Sequence, residues 1–176
     1  TTGCIPKPSC SSKGSGYDVA CALADGAIVY GLREDGPHAR AVPFRPSFAD
    51  QLYFVWLGSK QPTSAHLKKM AGRMVPDAKE IHHFTAMTQG MMKARQLSDF
   101  RMFMEEHEAR LSALIGLERV SQTRFHGLQG SVKSLGAWGG DFVMLASEQD
   151  QEALYNYLDK LGLDTRFRFK DLVYVG

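Results

Sequence analysis

The chain has 176 residues, 44% of them hydrophobic, and a formal net charge of +2 at pH 7. This suffices for one well-packed domain, or for one domain and part of another. The basic residues are spread along the chain, which argues against nucleic-acid binding. The sequence contains no run of 18 apolar residues, so no membrane-spanning helix is predicted. Three cysteines, with no Cys/His set at zinc spacing, favour a cytoplasmic protein with reduced thiols and no metal site formed by these residues. The alternative is a disulfide between Cys4 and Cys10.

The first part of the chain combines loop with short β-type runs. Residues 1–16 are rich in Pro, Ser and Gly and lack periodicity, which indicates loop. A hairpin is predicted from residues 27–32 and 39–44, because a Glu-Asp-Gly-Pro turn lies between them. The unbroken apolar run at 52–57 predicts a strand covered on both faces.

Helices and then strands are predicted for the rest of the chain. Helical spacing predicts helices over 62–74, 77–96 and 98–115, and Asp77 and Ser98 are the expected caps of the second and third. Strands over 131–135 and 142–146, a helix over 148–161 and a strand over 166–175 follow. This order predicts an α+β sandwich with helices on one face of a largely antiparallel sheet.

A first glycine-containing segment is a candidate site. Gly14, Ser15, Gly16, Tyr17 and Asp18 follow one another directly before a short apolar stretch. Closely spaced glycines let the backbone approach a ligand, and an Asp that ends such a turn can point its carboxylate into a cleft. The alternative is a polar turn before a short helix that Asp18 caps.

A second segment, residues 133–141, reads KSLGAWGGD and lies between two predicted strands. So many small residues indicate that a ligand lies close to the backbone, and successive free N–H groups can bind phosphate. The alternatives are a bulged hairpin in which Trp138 packs, and an Asp141 side chain that only accepts hydrogen bonds from the loop. The small residues are Gly136, Ala137, Gly139 and Gly140.

Together, the segments GSGYDVACA and VKSLGAWGGDFVMLAS, with LYFVWLGSKQPTS between them, resemble the GHMP kinase superfamily. The likeness is to a bacterial branch of mevalonate-kinase-like and phosphomevalonate-kinase-like proteins with a Gly-Tyr-Asp-Ile-Ala signature, which reads GYDVA here, at residues 16–20. The resemblance implies a remnant of the N-terminal kinase domain over 1–48, which carries the Asp motif. It implies the family's ferredoxin-like C-terminal sandwich over 49–176.

The resemblance also implies a function. GHMP kinases transfer the γ-phosphoryl group of ATP, with Mg²⁺, to a small metabolite, here mevalonate, phosphomevalonate or a related compound of isoprenoid biosynthesis. Asp18 would accept or orient the acceptor proton, and both glycine segments would line one pocket. For Ser59 and Thr63, a role in substrate binding and a place in a solvated turn without such a role are equal alternatives. The implied substrate-binding residues are Gly14, Ser15, Gly16, Tyr17, Ser59 and Thr63, and the implied phosphate and ATP loop is Gly136, Ala137, Gly139, Gly140 and Asp141.

The family's main ATP-binding motifs, an early Lys/Gly/Glu segment and a Gly-Leu-Gly-Ser-Ser loop, do not occur in this sequence. The chain is therefore expected to be the later part of a kinase and to be inactive alone. Its expected partners are the small-molecule acceptor and either the missing N-terminal portion or a second copy of the chain. The rival hypothesis is a non-catalytic ligand-binding module or a degenerate kinase relative.

Overall fold

The computed structural model describes residues 16–33, 35–58, 76–136 and 141–173. The chain divides into two compact units. One comprises Thr1–Arg45 with Lys170–Gly176, and the other comprises Pro46–Phe169. The helix predicted over 62–74 lies outside the described residues.

The smaller unit contains a short helix and a hairpin. Helix α1 is Tyr17–Ala22, and strands β1 (Ile28–Arg33) and β2 (Gly36–Ala41) pair antiparallel from Ile28↔Ala41 to Arg33↔Gly36. The predicted hairpin is confirmed, but its second strand begins three residues earlier than expected. The turn closes at Gly36, whose φ of 114° lies in a region that favours glycine, so pairing starts there.

The larger unit is built on a four-stranded sheet. Its strands are β3 (Leu52–Trp56), β4 (Gly130–Leu135), β5 (Phe142–Ser147) and β6 (Arg166–Arg168). Their order is β4-β5-β3-β6, and each neighbouring pair is antiparallel. The predicted α+β class with an antiparallel sheet is confirmed.

Helices account for most of the remaining described residues. Within the described ranges, no helix has the length and apolar character needed to cross a membrane. A 3₁₀ turn precedes β3 at Ala49–Gln51. The other helices are α2 (Ala78–Lys93), α3 (Leu97–Ile115), α4 (Val120–Arg124), α5 (Gln151–Lys160) and α6 (Phe169–Leu172).

The helix starts confirm one predicted cap and correct the other. Asp77 caps α2, because its Oδ1 accepts a hydrogen bond of 2.8 Å from the Glu80 amide. Ser98 is not a cap: α3 begins at Leu97, and Gln96 occupies the cap position without a side-chain hydrogen bond. The cap position thus lies two residues before the predicted one, and the helix begins at the buried Leu97.

The strand predicted over 166–175 was too long. Only Arg166–Arg168 pair with β3, and the chain then enters α6 at Phe169. The Phe169 ring is buried and stacks on Phe54, with ring centroids 6.2 Å apart and planes 18° from parallel. The alternating pattern continued past this point in the sequence, but burial of one aromatic ring ends the strand.

The core of the larger unit lies between the central strands and helices α4 and α5. Val55, Val143 and Leu145 are fully buried on neighbouring strands, and they contact apolar side chains from both helices. The buried members of this cluster are Tyr53, Val55, Leu57, Val120, Phe125, Val132, Val143, Leu145, Leu154, Leu158 and Leu163.

The start of β4 requires a residue without a side chain. A Cβ added to Gly130 would lie 2.7 Å from the Ala146 carbonyl oxygen, a backbone atom of the paired strand. We therefore expect Gly130→Ala to lower the free energy of unfolding by about 2 kcal/mol, the usual size of an overpacking penalty, as measured by urea denaturation. Gly31→Ala is the control, because a Cβ there meets nothing within 4 Å. A similar effect from both substitutions would contradict the packing argument.

Candidate functional site

The first candidate segment forms the start of α1. Gly16 occupies the cap position with φ 79° and ψ 2°, a left-handed conformation that favours glycine, and a Cβ there would lie 3.3 Å from the Tyr30 hydroxyl oxygen. Asp18 lies in the first turn and is exposed. This helix start has no side-chain capping bond, so the alternative that Asp18 caps the helix was wrong. The carboxylate of Asp18 is accessible to solvent.

Tyr17 is held by its neighbours in the same unit. Its ring meets the ring of Tyr30 edge to face, with centroids 5.6 Å apart. A side-chain hydrogen bond with Cys21, followed by burial and the nearby charges, raises the pKa of Tyr17 to about 12. The phenol therefore stays protonated at neutral pH, and 48% of the residue is exposed. Tyr17 therefore packs on the hairpin through Tyr30 and still presents about half of its surface to solvent.

The second candidate segment leaves β4 at Gly136 and enters β5 after Asp141. Leu135 and Phe142 form the last pair of the two strands, and Gly136 follows with a left-handed φ of 69°. The Asp141 carbonyl accepts a hydrogen bond of 2.7 Å from the Leu57 amide. These contacts hold both ends of the segment on the sheet.

A second hydrogen bond supports the same end of β3. The Nη1 of Arg124 donates to the Leu57 carbonyl at 2.8 Å. Leu57 thus connects α4 to the residue at which the glycine segment rejoins β5. Arg124 was not predicted as a supporting residue, because its contact spans 67 positions in sequence.

The remaining predicted site residues, and the relation between the two segments, were not tested. Gly16–Asp18 and Gly136–Asp141 belong to different units, and their convergence on one pocket stays a prediction. The predicted residues that lie outside the described ranges are Gly14, Ser15, Ser59, Thr63, Ala137, Gly139 and Gly140.

A buried polar cluster adjoins the second segment. Glu108, on α3, is only 2% exposed, and its Oε2 accepts a hydrogen bond of 3.2 Å from the Ser134 hydroxyl. The Nζ of Lys133 lies 3.6 Å from Glu108 Oε1 and 3.2 Å from His107 Nδ1. The sequence analysis did not predict this role for His107 and Glu108. The available signal was a charged residue, four positions after Met104, on the apolar face of a helix.

Burial dominates the titration of this cluster. It raises the pKa of the Glu108 carboxyl, against the attraction of Lys133 and the hydrogen bonds from Ser134. It lowers the pKa of Lys133, against the attraction of Glu108. Burial and then the charge of Lys133 lower the pKa of His107 to about 4. The His107 imidazole is therefore neutral at pH 7 and can accept the Lys133 hydrogen bond at Nδ1.

The lowered pKa of His107 predicts a dependence of stability on pH. The unfolded chain binds a proton at this residue below about pH 6.5, whereas the folded chain does so only near pH 4. The free energy of unfolding should therefore fall as the pH is lowered through this window. The expected contribution is about 2–3 kcal/mol, since one pKa unit corresponds to about 1.4 kcal/mol.

The measurement is chemical denaturation of the wild type and of His107→Gln at pH 7 and pH 4. Protonation of Glu108 acts in the opposite direction over the same range, so the difference between the two proteins is the quantity to compare. His82→Gln is the control, because His82 lies exposed on α2. Equal pH dependence of the wild type and His107→Gln would contradict this assignment.

The described carboxylates are compatible with Mg²⁺ delivered on a nucleotide. Asp18 is exposed and Asp141 is partly exposed. Among the described residues, no group of three or more His, Cys, Asp or Glu side chains could hold a metal ion by itself. Mg²⁺ usually takes one or two protein carboxylates together with substrate phosphates and water, so a complete protein cage is not required.

No protein-family model and no curated protein matches the sequence. Solved structures share its fold. A Lin0012 protein from Listeria innocua superposes with a TM-score of 0.64 and 18% identity over 88% of this chain. L. major mevalonate kinase in complex with R-mevalonate superposes with a TM-score of 0.61 and 18% identity over 89% of this chain. Streptococcus pneumoniae phosphomevalonate kinase in complex with phosphomevalonate and AMPPNP superposes with a TM-score of 0.64 and 19% identity over 90% of this chain.

The matched region is only part of each of these structures. This chain spans 53% of the Lin0012 protein, 52% of the mevalonate kinase and 56% of the phosphomevalonate kinase. TM-scores of 0.61–0.64 show a shared fold, and at identities of 18–19% the likeness shows the fold alone. Two of the three structures are a mevalonate kinase and a phosphomevalonate kinase, and this chain shares their fold.

Proposed function

We propose that the chain is part of an ATP-dependent small-molecule kinase, which transfers the γ-phosphoryl group to mevalonate, phosphomevalonate or a related small metabolite. The observation that carries the proposal is a fold shared with a mevalonate kinase and a phosphomevalonate kinase over about nine-tenths of this chain. The exposed Asp18, two residues after the left-handed Gly16, adds a carboxylate suited to proton transfer.

In the proposed reaction, Asp18 accepts the proton of the acceptor hydroxyl. An oxygen of the acceptor forms a bond to the γ-phosphorus of ATP, the bond from that phosphorus to the bridging oxygen breaks, and ADP leaves with the bridging oxygen. When the acceptor is a hydroxyl, its proton passes to the Asp18 carboxylate. Positioning and charge stabilisation do most of the work in such reactions, and the general base adds to them.

The glycine segment, residues 136–141, is proposed to bind the phosphate groups. The left-handed Gly136 and the restrained carbonyl of Asp141 are its described ends. Backbone N–H groups in such segments can bind phosphate oxygens, which anchors the nucleotide or a phosphorylated acceptor. Mg²⁺ delivered on ATP would neutralise charge on the phosphates, and the exposed Asp18 carboxylate is a described group that would help to hold it.

The test is a phosphoryl-transfer screen of the complete protein that the gene encodes, with ATP and Mg²⁺. The acceptors are mevalonate, phosphomevalonate and a set of simple sugars, and ³¹P NMR follows the products. We expect one acceptor to gain a phosphoryl group while an equal amount of ADP forms. If no acceptor is phosphorylated and one of them still binds, the non-catalytic module becomes the better interpretation.

A further inference from the structure

An ionic cluster links α3 to β4 immediately before the glycine segment. Glu108 Oε2 accepts a hydrogen bond from the Ser134 hydroxyl, and Glu108 Oε1 lies 3.6 Å from Lys133 Nζ. The side chain of Glu108 is 3% exposed and that of Lys133 is 19% exposed. Ser134 lies two positions before Gly136, at which the segment leaves the strand.

Stability alone does not account for this cluster. Removing two charges from water is costly, and a buried ion pair can often be replaced by apolar side chains of similar volume without loss of stability. Glu108 Oε1 also makes no hydrogen bond. The same helix buries apolar side chains at Phe100 and Met104, so an apolar residue at position 108 would suit its surroundings.

The position of β4 in the sheet suggests a role for the cluster in setting the register of this strand. Among the described strands, β4 lies at an edge and is held by β5 on one side only. A slip of one residue would move Lys133 to the opposite face of the strand and separate it from Glu108. Together with the burial of Val132 in the core, the ion pair therefore favours the register in which Leu135 pairs with Phe142 and Gly136 follows.

We propose that Glu108 and Lys133 are positioning residues, which fix the register of β4 against α3 and so set the place and direction in which the Gly136–Asp141 segment leaves the sheet. The consequence for catalysis rests on the function proposed above. The structural consequence, the placement of Gly136 and Asp141, does not depend on that function.

The decisive variant replaces both charges with apolar side chains of similar size, Glu108→Leu together with Lys133→Met. We expect a melting temperature close to that of the wild type, because no charge is left unpaired, although the buried Ser134 hydroxyl loses its acceptor. We also expect altered ¹H–¹⁵N amide shifts of Gly136 and Asp141. In the active complete protein, kcat should fall about 10–100-fold, the size of effect that small misplacements have, while KM for the acceptor stays nearly constant.

The control removes an exposed ion pair from the same helix. Arg110 Nε lies 3.2 Å from Glu106 Oε1, and Arg110 Nη1 lies 3.6 Å from Glu80 Oε1 on α2; solvent reaches both pairs. Glu106→Gln with Arg110→Met should leave the Gly136 and Asp141 resonances unchanged, because an exposed pair contributes little.

The outcomes separate this inference from the proposed function. Wild-type resonances of Gly136 and Asp141 in the folded double variant would overturn the positioning role, whatever the activity. A wild type that transfers no phosphoryl group would end the proposed function, and the amide shifts would still decide the positioning role. If the double variant does not fold, Glu108→Gln replaces it: shifted Gly136 and Asp141 amides support the inference, and unshifted amides overturn it.

Discussion

Replacement of Asp18 by Asn should lower the rate of phosphoryl transfer by the complete protein about 10³-fold, because a positioned general base contributes about 10²–10⁴-fold to a rate. Asn keeps the size and most of the shape of the side chain but cannot accept the proton. The residue is exposed in the first turn of α1, so the substitution should leave the fold intact. The measurements are kcat with the acceptor found in the screen and the dissociation constant of ATP, which should stay within a few-fold.

Asp25→Asn is the matched control for this experiment. Asp25 is an exposed aspartate of the same unit, a few residues after the end of α1. Its substitution removes the same charge without touching the predicted site, and turnover should be nearly unchanged. If Asp18→Asn retains turnover within a few-fold of the wild type, Asp18 is not the catalytic group.

Local patterns predicted most of the described elements. The apolar run before Gly58 correctly predicted strand β3, and Asp77 correctly predicted the start of α2. Both signals depend only on neighbours in sequence. The predicted strands over 131–135 and 142–146 correspond to β4 and β5, each with an added residue at one end. Such elements bury a regular pattern, and the pattern is visible in a single sequence.

The errors occur where one tertiary contact overrides a local signal. Ser98 has the chemistry of a cap, but burial of Leu97 moved the start of α3. Continued alternation suggested a strand after Arg168, but Phe169 packs on Phe54 and the chain turns into α6. Helix α4 was not predicted at all, because five residues are too few to show helical periodicity.

The candidate site was predicted unevenly for the same reason. Gly16 and Gly136 were singled out in segments where the backbone was expected to approach a ligand; the approach is untested, and both glycines have left-handed φ angles. The pairing of Glu108 with Lys133 was not foreseen, since it joins residues 25 positions apart in sequence on two different elements. A local pattern can mark a charged residue on an apolar helix face, but it cannot name the partner.

The core of the larger unit should be most sensitive at Leu145. This residue is fully buried in β5, where it pairs with Tyr53 on one side and Val132 on the other. Leu145→Ala removes three buried carbons and leaves a cavity that two flanking strands prevent from collapsing. We expect the free energy of unfolding to fall by about 3–5 kcal/mol, the upper part of the range for such substitutions, as measured by urea denaturation.

Leu161→Ala supplies the comparison at a leucine that ends α5 and is 39% exposed. Its side chain already contacts water, so the loss should be below about 1 kcal/mol. Because both substitutions remove the same atoms, the difference between them isolates burial from side-chain identity. A loss below about 1 kcal/mol at Leu145 as well would mean that the sheet can close the cavity. The fixed strand positions on which the Gly136–Asp141 segment depends would then be less rigid than the packing around β5 indicates.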